Sequence, residues 1–146
     1  MGTFIICNID TCIGCGACQV ACQDRNDLPP GVLFRRVTVQ RVHFVSDSCR
    51  HCADPACMAA CPAGVYYKFP DGTVLQDVSR CIGCGRCVKA CPYGTVTMLD
   101  GVARKCDGCY ARRQAGLAPA CVGACPNGSL RVSGAEACAT KRGESI

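Results

Sequence analysis

The chain has 146 residues, of which 18 are cysteine, against four Phe, four Tyr and no Trp. About one residue in eight is Cys, a proportion that marks a cross-linked or metal-laden chain, and the few aromatics exclude a conventional aromatic core. The formal net charge is +5, and no apolar run is long enough to cross a bilayer as a helix.

Met1–Cys7 lacks the basic region, long apolar stretch and small-residue cleavage site of a secretory signal. It leads instead into Thr3–Asp10, which alternates as a strand. With no address to an oxidising compartment, a cytoplasmic location and metal ligation, rather than disulfides, are the expected setting and use of the cysteines. The first cysteine motif, Cys12, Cys15, Cys18 and Cys22, comes next, with a brief helix expected after Cys18. Val32–Asp47 alternates as strands and leads into the second motif, Cys49, Cys52, Cys57 and Cys61, with a helix after Cys57. Tyr66–Phe69 and Thr73–Asp77 flank Pro70-Asp71-Gly72, a hairpin turn signal. The third motif, Cys81, Cys84, Cys87 and Cys91, has a helix after Cys87 and a strand at Thr95–Leu99. In the fourth, Cys106 and Cys109 are separated by an eleven-residue insert from Cys121 and Cys125, with a helix after Cys121 and a strand at Leu130–Ser133. The last dozen or so residues are expected to fray.

Lined up, the motifs are one unit repeated four times. The first and third share C-x2-C-x2-C-x3-C spacing together with Ile, Gly, Gly and Ala at equivalent places. The second has two extra residues before its third Cys, and the last three motifs end in Cys-Pro-x-Gly. A lone C-x2-C pair would serve zinc equally well, but zinc sites separate two pairs by a longer loop. Four cysteines within eleven residues suit an iron–sulfur cube: three thiolates curl around it while glycines such as Gly14, Gly83 and Gly85 let amides face the sulfurs. The fourth Cys starts or lies in a helical turn that points away, and in two-cluster ferredoxins it serves the neighbouring cluster. Sixteen thiolates around four [4Fe-4S] cores turn the formal charge into about −3, so nucleic acid is not an expected partner. The pairs Arg35-Arg36, Arg104-Lys105 and Arg112-Arg113 are then counter-charge for clusters or for a partner's carboxylates. Cys7 and Cys138 lie outside every motif and read as small packing thiols, and His51 as packing at the edge of the second motif or bonding a sulfur. No haem-attachment, radical or dinucleotide-binding motif occurs, so the chain carries no catalytic residues and no active site of its own.

These residues resemble the electron-transfer (beta) subunits of the dimethyl sulfoxide reductase family of molybdenum and tungsten enzymes. The likeness extends beyond the cysteines to the stretch from Asp24 to Gly31, to Phe34-Arg-Arg-Val37, Cys49-Arg-His-Cys52, Ala90-Cys-Pro-Tyr-Gly94 and Lys105-Cys-Asp-Gly-Cys-Tyr110. The resemblance implies an α+β fold of two ferredoxin-like modules related by a pseudo-twofold axis. Motifs one and four would build the first module (residues 1–31 plus 92–146), and motifs two and three the second (32–91). It also implies crossed ligation. One cluster would take Cys12, Cys15, Cys18 and Cys125, and the next Cys22, Cys106, Cys109 and Cys121. The third would take Cys49, Cys52, Cys57 and Cys91, and the last Cys61, Cys81, Cys84 and Cys87.

The implied role is electron relay between a large molybdenum- or tungsten-cofactor catalytic subunit and a second redox protein or module. Only 14 residues separate Cys91 from Cys106, and 21 follow Cys125. The expected partner is thus a soluble enzyme of the aldehyde oxidoreductase, formate dehydrogenase or hydrogenase type rather than a membrane anchor. A free-standing polyferredoxin, a head-to-tail self-association and a structural zinc protein are the rival readings.

Overall fold

The computed structural model describes residues 5–133. Cys138 and the tail expected to fray lie outside them, as does the start of the strand read from Thr3. Small hairpins and short helices alternate: β1 (Ile5–Cys7), α1 (Ala17–Arg25), β2 (Arg36–Gln40), β3 (His43–Asp47), α2 (Ala56–Ala60), β4 (Tyr66–Lys68) and β5 (Val74–Gln76) come first. A 3₁₀ turn at Val78–Arg80 precedes α3 (Arg86–Ala90), β6 (Thr97–Leu99), β7 (Val102–Arg104), α4 (Tyr110–Gln114), α5 (Ala120–Ala124) and β8 (Leu130–Val132). The result is a small α+β protein of short helices and short strands.

The strands form four separate antiparallel pairs, β1–β8, β2–β3, β4–β5 and β6–β7. The first joins the two ends of the described chain, with Ile5 opposite Val132 and Cys7 opposite Leu130. The β4–β5 hairpin turns where Pro70-Asp71-Gly72 predicts: Asp71 Oδ1 accepts from the Thr73 amide at 2.8 Å, and the Gly72 amide donates to the Phe69 carbonyl at 2.8 Å. The structure refines three readings. Val32–Asp47 is a hairpin whose strands begin only at Arg36, and the chain reverses at Arg41, at φ 57°. Thr95–Leu99 has a partner in β7, with Asp100 and Gly101 at φ 53° and 79° between them, the left-handed pair that a two-residue hairpin turn needs. The insert of the fourth motif contains helix α4.

Packing follows the motifs in pairs. Helix α1 of the first motif lies on α5 of the fourth, and α2 of the second lies on α3 of the third. One core gathers Cys18, Cys121, Val122, Leu130 and Val132, with Ile5, Cys7 and Val37 against it. Another gathers Cys57, Val65, Tyr66, Val74, Cys87, Val96 and Ala103. Cys22, Leu28, Phe34, Cys49 and Cys106 form a third. Cysteine is thus a core residue throughout.

Candidate metal centre

In every motif the residue two places after the first Cys is left-handed: Gly14, His51, Gly83 and Gly108 have φ of 71°, 46°, 73° and 65°. That turn swings the amide back onto the sulfur. His51 N–H donates to Cys49 Sγ at 3.5 Å, Gly83 to Cys81 at 3.4 Å and Gly108 to Cys106 at 3.2 Å. The third Cys of each motif stands one residue inside a helix, as Cys18, Cys57, Cys87 and Cys121. The helices therefore begin just before this Cys rather than after it.

The fourth Cys departs from expectation. Cys61, Cys91 and Cys125 end their helices instead of starting a turn, with extended ψ of 115°, 116° and 116°. Each precedes a proline, whose ring disfavours the helical region for the residue before it. Cys22 is followed by Gln23, so α1 runs on to Arg25. After each Cys-Pro-x-Gly the chain returns a donor to the sulfur: the Val65 amide to Cys61 at 3.4 Å and the Ser129 amide to Cys125 at 3.2 Å. Thr95 Oγ1 lies 3.3 Å from Cys91 Sγ in the equivalent place.

Three cavities follow from this geometry. One is lined by Cys12, Cys15, Cys18 and Cys125. A second is lined by Cys49, Cys52, Cys57 and Cys91, and a third by Cys61, Cys81, Cys84 and Cys87. Each gathers three cysteines of one motif and the last of another. The remaining four, Cys22, Cys106, Cys109 and Cys121, are all buried; burial raises each thiol, and within the set Cys121 and Cys109 add to the effect on Cys22, Cys22 to that on Cys106 and Cys109 to that on Cys121. Cys7 lines none of these cavities and packs beside Leu130 and Val132.

Electrostatics separates the groups. Burial, with Cys121 and Cys109 nearby, pushes the Cys22 thiol up to about 12; burial pushes Cys57 up to about 11 and raises Cys106, Cys109 and Cys121. At Cys91 and Cys125 burial acts in the same sense but is outweighed by donors from Thr95 and Ser129 and their neighbours, and both thiols fall below the usual range. Buried thiolates that repel one another call for a polycation between them. Two buried cations fit the same demand from the other side: Arg35 is 1% and Lys105 4% exposed, and among the described residues each hydrogen-bonds neutral oxygens alone. A cluster held by four thiolates carries net negative charge and answers both. Among the described residues no three His, Cys, Asp or Glu side chains converge on a single-ion site; the sulfurs stand around cavities instead.

Sequence reasoning missed the burial of Arg35 and Lys105. Each basic pair is split by the fold: Arg36 is exposed beside buried Arg35, Arg104 is half-buried beside buried Lys105, and Arg113 bonds Asp71 at 3.0 Å while Arg112 donates to the Ala118 carbonyl. His51 is also buried, its Nδ1 accepting from the Val74 amide at 3.0 Å, and burial together with Lys105 and Arg113 pushes its pKa down to about 3. Its neutral ring therefore carries the hydrogen on Nε2, which has no partner among the described residues.

The sequence matches the 4Fe-4S dicluster domain family over residues 40–135, and again over residues 11–65. It is 41% identical over 150 residues to the probable anaerobic dimethyl sulfoxide reductase chain YnfG of Escherichia coli (strain K12), covering 90% of this chain and 73% of that one. It is 44% identical over 135 residues to the thiosulfate reductase electron transfer subunit PhsB of Salmonella typhi, covering 82% and 69%. To the formate dehydrogenase-O iron-sulfur subunit of Escherichia coli (strain K12) it is 34% identical over 166 residues, covering 95% and 55%.

Proposed function

We propose that this chain, which belongs to the 4Fe-4S dicluster family and to the iron–sulfur electron-transfer chains of the dimethyl sulfoxide reductase type, relays single electrons between a molybdenum- or tungsten-cofactor catalytic subunit and a second redox protein or module. It carries four [4Fe-4S] clusters and no active site of its own. Each cluster, when bound, supplies a reversible one-electron site. Everything else falls to the protein: it holds the clusters, aims amides at their ligands and keeps water from the inner ones.

The observation that carries the reading is the grouping of twelve cysteines around three cavities, which leaves four buried ones for a further set. It supports crossed ligation, with Cys12, Cys15, Cys18 and Cys125 on the first cluster and Cys22, Cys106, Cys109 and Cys121 on the second. Cys49, Cys52, Cys57 and Cys91 would hold the third, and Cys61, Cys81, Cys84 and Cys87 the fourth. The shared helices support this order. Helix α1 carries Cys18 of the first set and Cys22 of the second, α2 carries Cys57 of the third, and Cys61 of the fourth ends it. Two ferredoxin-like modules related by a pseudo-twofold axis, one on motifs one and four and one on motifs two and three, account for the paired helix packing.

The two exposed cysteines among the described residues, Cys15 and Cys84, belong to the first and last sets, which suits electron entry and exit at the ends. A reducing compartment such as the cytoplasm keeps the thiols available for iron. Purification without oxygen tests the reading: about sixteen iron and sixteen sulfide per chain, together with a co-purifying large subunit, are expected. A colourless chain with no iron would refute it.

A further inference from the structure

Arg35 and Lys105 are the two buried cations among the described residues, and neither is in an ion pair with a carboxylate there. The ion pairs found among the described residues are Arg25–Asp107, Arg50–Asp47 and Arg113–Asp71. Arg35 donates through Nη1 to Ser46 Oγ at 2.9 Å and through Nη2 to Ser48 Oγ at 2.6 Å. Ser46 Oγ, having accepted from the guanidinium, keeps its own hydrogen for Cys18 Sγ, 3.2 Å away. The same serine lines the cavity of Cys12, Cys15, Cys18 and Cys125. Lys105 donates to the Val74 carbonyl at 2.6 Å and to the Cys106 carbonyl at 2.8 Å, and it lines the cavity of Cys49, Cys52, Cys57 and Cys91. Arg50 lines that cavity too, but it is exposed and bound to Asp47. The cavity of Cys61, Cys81, Cys84 and Cys87 is different. Besides its cysteines it is lined by Pro62, Ala63, Val65, Tyr66, Ile82 and Ala103, among others; like the cavity of Cys12 it has no charged lining side chain, and unlike that cavity it has no serine bonded to a buried cation.

We propose that Arg35, acting through Ser46, and Lys105 set the reduction potentials of the clusters beside them, and that the cation-free cluster of Cys61, Cys81, Cys84 and Cys87 is the low-potential end of the relay. This rests on the ligand sets proposed above. Reduction adds one negative charge to a cluster. A fixed cation in a dry, low-dielectric interior stabilises that charge, and so does a donor aimed at a ligand sulfur. An unpaired buried cation is strongly disfavoured unless an anion lies within reach; the sulfurs of Cys121, Cys106, Cys18 and Cys22 surround Arg35, and those of Cys57 and Cys106 lie near Lys105. Both are positioning residues: neither ligates iron, and both act through the field they impose.

The test is a redox titration of the cluster signals in the intact complex, with iron counted in every sample. Cys57→Ser identifies the signal of the third set. Lys105→Met is expected to lower that midpoint potential while the signal of the Cys84 set stays where it was, and Lys105→Arg is expected to restore it. Ser46→Ala removes a single hydroxyl and serves as the second variant should Lys105→Met fail to load iron; it is expected to lower the potential of the Cys12 set. Unchanged potentials at full iron content, in Lys105→Met or, where that variant does not load, in Ser46→Ala, overturn the inference and leave the ligand sets standing. An iron count near half of the expected sixteen in the unaltered chain overturns the ligand sets, and the inference with them.

Discussion

Gly83 has no room for a side chain, because a Cβ there would stand 2.5 Å from the Gly101 carbonyl oxygen, whereas one at Gly85 would meet nothing within 4 Å. Both residues are left-handed, at φ 73° and 74°, so the pair separates backbone strain from overpacking. Gly85→Ala is expected to cost about 1 kcal/mol, the strain alone, and Gly83→Ala about 3 kcal/mol with loss of iron. Thermal unfolding of the loaded chain reads the difference. The left-handed slot was legible in three motifs because glycine fills it. In the second, His51 fills it, and no pattern of residue types announces a histidine at φ 46°. His51→Ala leaves the Val74 amide without its acceptor and opens a cavity beside the cysteines. A loss of about 3 kcal/mol is expected in the same assay, and an unchanged melting temperature would show the ring to be a spectator. Arg35 and Lys105 were unreadable for a related reason. Adjacent basic residues in a sequence look alike, and only the fold turns one of each pair inward.

Helices of five residues and strands of three to five cannot stand alone, since a single helical turn scarcely repays nucleation and an isolated hairpin is marginal. The elements here hold because they share cysteines and a thin apolar seam. Within that seam Leu130 is 1% exposed and Val122 fully buried. Leu130→Ala is expected to cost about 2–5 kcal/mol, against near-neutrality for exposed Leu117→Ala, read by thermal unfolding with iron bound. Iron removal should be more drastic. Chelation under reducing conditions is expected to abolish the cooperative transition altogether, and a native-like transition in the iron-free chain would mean that the apolar seam suffices. At this scale the turn chemistry decided what could be foreseen. Pro70-Asp71-Gly72 announces its hairpin, and Asp100-Gly101 carries the same kind of signal for β6–β7, which the strand read at Thr95–Leu99 left without a partner. The reversal at Arg41 uses neither glycine nor proline, and helix α4 hides in an insert that interrupts a motif.

The whole molecule is organised by its cysteines, and so the number and kind of centres were legible from spacing while their surroundings were not. Exposed Ile13 stands beside Cys15, and exposed Ile82 beside Cys84, at 58% and 70%. The corresponding residues of the other two motifs are Arg50 and Asp107. The apolar pair suits protein contact at the two ends of the relay. Ile13→Asp and Ile82→Asp are each expected to slow electron exchange with one partner only, with iron content unchanged; equal slowing at both ends would contradict a relay with distinct termini. Crossed ligation between motifs is read by comparing Cys12→Ser with Cys125→Ser, far apart in sequence but lining one cavity. Both variants are expected to alter the same one of four spectroscopically resolved clusters and to spare the other three. Loss of two different clusters by the two variants, in chains that keep the rest, would contradict crossed ligation.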